Sequence, residues 1–136
     1  MVIDTSALLA ILLSEPEALE LTEAIAAADR RLVGTPTLVE ATAVMLARKG
    51  EQGVIALDAL LSRLGFEVVA MSTEAGEFAR EAYCRYGKGV GSPGVLNYGD
   101  VLSYGLARGE DEPLLFKGGD FPVTDIAPAR HPPPSS

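Results

Sequence analysis

Apolar and polar positions along the chain follow two rhythms, and the switches between them mark out the elements. Met1 to Ile3 is a short apolar run ending at Asp4, the pattern of a buried strand. Thr5 to Leu13 is apolar nearly all round, as in a helix packed on several sides. Ser14-Glu15-Pro16 breaks it, and Pro16 suits the first turn of a second helix that reaches about Ala28. That helix is expected to turn Leu19, Ile25 and Ala26 inward and its glutamates outward. Arg31 to Gly34 makes a second short strand. Thr35-Pro36 opens a third helix, with Thr35 as N-cap and Pro36 at the first helical position, and Gly50 is its natural stop. Val54, Leu57, Leu60, Leu61 and Leu64 predict a fourth helix over 51–64, closed by Gly65. Phe66 to Met71 is the clearest strand in the pattern. Ser72 caps a fifth helix to about Tyr86, and Asn97 opens a sixth that ends near Gly109. Pro113 to Phe116 is a strand, and a last short one is expected at Asp125-Ile126.

Strands alternating with helices predict an α/β fold, with a short, mainly parallel central sheet and helices on both faces. A chain of 136 residues with no internal repeat predicts one domain, here over residues 1–128. The Pro/Ser-rich stretch 129–136 is expected to be a disordered tail.

Composition adds two points. Hydrophobic residues make up 48% of the chain and the mean hydropathy is +0.22, an apolar surplus that suggests surface covered by a partner or a second copy. The net charge of −8, taken alone, argues against nucleic acid as a partner, because phosphate contacts rest on Lys and Arg. Acids gathered round a metal ion would be neutralised locally, however. The single cysteine, Cys84, excludes an internal disulfide and is expected to be a small buried hydrophobe, which fits a reducing cytoplasmic setting. No basic leader precedes the first apolar run and no stretch is long enough to span a membrane.

Four acids could share one edge. Ligands in open α/β sheets bind outside the carboxyl ends of the strands, and Asp4 follows strand one. An Asp before a helix is also an ordinary N-cap. Glu40 shares a helical stripe with Pro36, Ala43, Val44 and Ala47. A charge there needs a partner or an ion, unless the helix is turned so that Glu40 reaches water. Asp100 stands three residues after Asn97 and could be simply the other half of a cap. Asp120 follows the Pro113–Phe116 strand through Gly118-Gly119, where a polar turn residue is also unremarkable. Asp125 is a weaker fifth candidate.

Together the four make an all-oxygen set that suits Mg²⁺ or Mn²⁺ rather than zinc. Two such ions about 3.5–4 Å apart could clamp the attacking and leaving oxygens of a phosphodiester. Other chemistries lack parts. The only histidine, His131, lies in the expected tail, which speaks against Ser-His-Asp and Cys-His sites. Ser6 stands where a haloacid-dehalogenase-like phosphatase usually has a second Asp. Gly89-Val90-Gly91-Ser92-Pro93-Gly94 matches a dinucleotide fingerprint in letters but follows a helix instead of a strand.

In order along the chain, Val2-Ile3-Asp4-Thr5-Ser6-Ala7, Val39-Glu40, Tyr86-Gly87-Lys88-Gly89 leading to Leu96-Asn97-Tyr98-Gly99-Asp100, and Leu114 to Phe121 with Thr124-Asp125-Ile126 resemble the PIN-domain ribonucleases, in particular VapC-type toxins of toxin–antitoxin pairs. The resemblance implies a three-layer α/β/α domain and a metal-dependent endoribonuclease. Asp4, Glu40, Asp100 and Asp120 would hold Mg²⁺ or Mn²⁺, with water as the attacking group. Ser6 and Asn97, with Asp125, would orient carboxylates or waters. Many members have an acid where this chain has Gly119, so Asp125 could be recruited instead. The family implies a homodimer or larger assembly and a VapB-type antitoxin whose C-terminal segment blocks the site. Arg85, Lys88 and Lys117, the cations nearest the proposed edge, are expected to contact RNA phosphates, or else to be ordinary solvated charges. The competing reading is a catalytically weak domain that acts mainly by binding antitoxin in a repressor complex.

Overall fold

The computed structural model describes residues 1–129. Four parallel strands, β1 (Val2–Ile3), β2 (Leu32–Gly34), β3 (Glu67–Val69) and β4 (Leu114–Leu115), form one sheet in the order β3-β2-β1-β4. Five helices connect them: α1 (Thr5–Leu12), α2 (Ala18–Ala27), α3 (Thr35–Arg63), α4 (Thr73–Tyr86) and α5 (Tyr98–Gly109).

Side chains alternate across each strand, and this splits the core in two. Ile3, Val33 and Leu115 face one layer with Leu8, Ile25, Leu57 and Leu61 from α1, α2 and α3. Val2, Leu32 and Leu114 face the other, with Ala82, Val101 and Tyr104 from α4 and α5. Helices therefore cover both faces, as the strand–helix alternation predicts.

The expected stop at Gly50 holds: with φ 65° and ψ −157° it divides the run from Thr35 to Arg63 into two helical arms that meet without a loop. Several other local expectations need correction. Gly34, not Thr35, is the N-cap of α3. The buried side of α2 is Leu21, Ala24 and Ile25, while Leu19 is 71% exposed. Of the strand expected over Phe66–Met71 only Glu67–Val69 is in the sheet, because it is an edge strand with one paired neighbour. No strand forms at Asp125-Ile126. A 3₁₀ turn at Phe121–Val123 comes first, and the chain returns to β4 at residues 127–129, where Leu114 N donates to Ala127 O and Ala129 N donates to Leu114 O. Ala129, assigned to the expected tail, is thus tied to the sheet; residues 130–136 lie outside those described. Cys84 is exposed, on the outer side of α4.

The sheet order explains why the loops part where they do. From β1 the chain steps to β2 and β3 on one side, then crosses back to β4 on the other side of β1. The crevice opens at such a reversal, at the carboxyl ends of the strands on either side of it. Here those strands are β1 and β4, which end at Asp4 and at the Phe116–Asp120 turn.

Candidate active site

Asp4 is a backbone member of the sheet edge and the N-cap of α1 at once. Its amide donates to Leu115 O at 2.9 Å, and its Oδ2 accepts from the Ser6 amide at 3.0 Å and the Ser6 hydroxyl at 2.6 Å. Its other oxygen, Oδ1, accepts from the Ser103 hydroxyl of α5 at 2.6 Å. The carboxylate is only 3% exposed, so these donors take the place of water. Ser6 Oγ also accepts from the Lys117 amide at 3.0 Å, which joins the end of β1 to the segment after β4.

Glu40 sits on the first arm of α3, turned away from the expected apolar stripe. Thr37, Ala41 and Met45 form the buried line, and Glu40 itself is exposed. The Thr5 hydroxyl donates to Glu40 Oε1 at 2.5 Å. Across from it, in the first turn of α5, lies Gly99. A Cβ placed there would come within 2.4 Å of Glu40 Oε2, so only glycine leaves room for the carboxylate.

Asn97 and Asp100 form a complete capping box: the Asp100 amide donates to Asn97 Oδ1 at 2.9 Å, and the Asn97 amide donates to Asp100 Oδ2 at 3.0 Å. Both capping roles foreseen from sequence therefore hold, and neither removes the acids from the edge. Burial pushes the Asp100 carboxyl up to about 6; the Asn97 amide opposes the shift, and the charges of Asp4, Asp120 and Glu40 add to it. Asp100 thus feels the charges of the other three acids.

Asp120 is exposed, at the start of the 3₁₀ turn. Asp125 is held by a different set of groups: the Tyr104 hydroxyl at 2.6 Å, Arg108 at 3.2 Å and Arg85 at 3.4 Å. Arg85 also pairs with Glu81 and lies over the Tyr86 ring. Lys117 pairs with Glu15 and Glu17. Of the three cations expected to meet RNA, two are therefore already engaged, and Lys88 is exposed with its ammonium in no ion pair among the described residues.

Three contributors were not singled out from the sequence. Ser103 follows Asp100 by three residues, on the same side of an otherwise apolar helix, and that spacing was its one visible signal. Thr5 and Gly99 gave none, since their roles exist only across elements.

Among the described residues no three acidic, histidine or cysteine side chains already form a metal cage. The donor set still fits a hard divalent cation. It is all oxygen, and Mg²⁺ takes one or two carboxylates and keeps several waters. The upward pull on Asp100 by its three neighbours is repulsion that a cation would relieve.

Beside Glu40 a groove of about 450 Å³ runs between α3 and α5, lined by Pro36, Val39, Met71, Tyr98 and Leu102. Val39 and Tyr98 are 69% and 73% exposed, an apolar surface of the kind the composition suggested.

The PIN domain model matches residues 1–127. The chain belongs to the PIN-domain family. Ribonuclease VapC30 of Mycobacterium tuberculosis is 49% identical over 127 residues, covering 93% of this chain and 96% of that relative. Among solved structures, Mycobacterium tuberculosis VapC20, described as a sarcin-ricin loop cleaving toxin, superposes with a TM-score of 0.73 at 18% identity, covering 95% of this chain and 98% of the other. VapBC2 from Rickettsia felis, bound to a DNA fragment of its promoter, gives 0.71 at 19% identity, covering 93% and 94%. At those identities the structures speak for the PIN fold. The 49% relative places the chain among the VapC ribonucleases of that family. Among the described residues no helix is long and apolar enough to cross a membrane.

Proposed function

We propose that this PIN domain is an endoribonuclease toxin that cuts RNA at the edge formed by Asp4, Glu40, Asp100 and Asp120, with Mg²⁺ or Mn²⁺ as its cofactor. The observation that carries the reading is the placement of these acids at the β1/β4 crevice, each supplied by a different element, with Asp100 close enough to the other three to feel their charges.

The chain's own groups prepare the site. Ser6 and Ser103 fix both oxygens of Asp4, so this carboxylate needs no reorganisation when it meets a cation. Thr5 holds one oxygen of Glu40 and leaves Oε2 over Gly99. Asn97 holds Asp100 by its backbone and leaves the other carboxylate oxygen available. A divalent cation held there would supply Lewis-acid chemistry to the phosphodiester and to the attacking water. Such catalysis needs no histidine, in keeping with a described chain that has none.

The partner we propose is a VapB-type antitoxin. Support comes from VapBC2 of Rickettsia felis and from a toxin–antitoxin complex of Klebsiella pneumoniae, whose fold this chain shares. The groove beside Glu40 suits an apolar antitoxin segment, and the location we propose is cytoplasmic, as suits a partner that binds promoter DNA in the way of the Rickettsia felis complex.

Cleavage of total RNA by the purified, antitoxin-free protein in Mg²⁺ or Mn²⁺ tests the reading. Discrete fragments are expected, absent with EDTA and absent from Asp4→Asn/Asp100→Asn. A folded protein that binds antitoxin but leaves RNA intact would transfer the proposal to the antitoxin-binding module.

A further inference from the structure

Asp120 has little to hold it. It follows Gly118, at φ 103°, and Gly119, and the space around both would be open to a Cβ. Its carboxylate makes no cap bond to the turn it begins. Its position is therefore decided downstream. Phe121 is buried against Phe116, with ring centroids 5.1 Å apart. The Thr124 amide and hydroxyl both donate to Phe121 O, at 2.9 and 2.7 Å, which closes the turn. The next residue is Asp125, whose carboxylate binds Tyr104, Arg108 and Arg85.

Tyr104 lies one helical turn beyond Asp100 on α5 and is 3% exposed. Its phenol is pushed up to about 12, first by burial and then by the bond to Asp125, so it donates at neutral pH. Asp125 is the complementary acceptor. Burial opposes its ionisation, but the Tyr104 hydroxyl and the arginine charges outweigh that and lower its pKa. The two arginine pairs are close to half exposed, and such pairs contribute little to stability. The network is better explained by placement than by stabilisation. It ties the Asp120 turn to the helix that carries Asp100 and, through Ser103, to Asp4.

We infer that Asp125 is a positioning residue for Asp120, acting with Tyr104, Arg108 and Arg85 to hold the turn after β4 so that the Asp120 carboxylate reaches the other three acids. This rests on the cation reading above and assigns Asp125 a place behind the site instead of in it.

The test is Mn²⁺ titration of the full chain, without RNA, followed by the electron paramagnetic resonance signal of free Mn²⁺. Asp125→Asn is expected to weaken Mn²⁺ binding about tenfold, the scale on which groups behind metal ligands act. Tyr104→Phe, which keeps both ion pairs, is expected to weaken it in the same direction and serves if Asp125→Asn is poorly folded. In an Asp120→Asn background the Asp125→Asn change is expected to add nothing, because its effect passes through Asp120. Wild-type affinity in both single variants would overturn the inference, as would an equal loss with and without Asp120. A wild-type protein that binds no Mn²⁺ would overturn the cation reading itself, and this inference with it.

Discussion

The Ser103 hydroxyl donates to Asp4 Oδ1 at 2.6 Å, joining residues 99 positions apart in the chain. Asp4 is buried, so this oxygen has no water to fall back on. Ser103→Ala is expected to cost about 1.5–3 kcal/mol, the range for bonds to charged groups. Urea unfolding measures it. A loss below about 0.5 kcal/mol would mean that the carboxylate finds another donor.

Gly99 and Glu40 make a second close pair. Alanine at 99 favours the helix by roughly 0.5–1 kcal/mol over glycine, and the atom its Cβ strikes is the end of a flexible side chain. Gly99→Ala is therefore expected to fold normally and to displace Glu40. RNA cleavage should drop about ten- to a hundredfold, the scale of a small misplacement in a site. Full cleavage by a folded Gly99→Ala protein would remove Glu40 from the working set.

Gly105, on the same helix, is expected to behave in the opposite way. A Cβ there would lie 2.4 Å from Ala75 O and 2.8 Å from Ala79 Cβ, where α4 packs on α5. Backbone cannot swing aside, so overpacking of about 1–3 kcal/mol is expected for Gly105→Ala. Gly76 has open space and is the control: Gly76→Ala should be neutral or stabilising. Equal melting temperatures for the two variants would contradict the packing.

The Asp100 carboxyl stands at about 6, above its ordinary 3.8. Between those values the folded chain keeps a proton that the unfolded chain has released. Its contribution to stability is thus complete below about 4 and is lost as the pH rises through about 6. Asp100→Asn keeps the acceptor for the Asn97 amide and lacks the charge. Its stability advantage over wild type is expected to grow from pH 4 to pH 7, and to shrink when Mg²⁺ or Mn²⁺ is added. Thermal unfolding across that range measures it; a difference independent of pH would refute the coupling.

Lys88 is the unengaged one of the three cations expected to meet RNA. Its replacement by alanine is expected to weaken RNA binding and to flatten the dependence of log affinity on log salt by about 0.7, the value for one phosphate contact on a single strand. Lys117→Ala should change the slope less, because that ammonium is already shared by Glu15 and Glu17. An unchanged slope for Lys88→Ala would return it to the solvated surface.

Legibility from sequence tracked distance along the chain. The Asn97–Asp100 box and the Asp4 cap involve residues two or three apart, and both were visible. The inward face of α2 was misjudged, and the turn of α3 about its axis was left open. Each helix has more apolar positions than one face needs, and the sheet it packs on decides which are buried. Whether Asp125 stands behind the acids or replaces the one absent at Gly119 stayed open in the sequence, because its three partners lie 17, 21 and 40 residues away.

By itself, then, the sequence determined the alternation of strands and helices, the caps at Asp4, Ser72 and Asn97, the stop at Gly50 and the identity of the acids. All of these follow from backbone preference and from periodicity over a few residues. Only the tertiary structure decided that β4 crosses back beside β1, so that Asp4 and the Asp120 turn share a crevice. It also decided that Ser103, Thr5 and Gly99 shape the acids, and that Arg85 and Lys117 are taken by other partners. These depend on which surfaces bury each other and which distant charges meet, quantities that no short window of the chain contains.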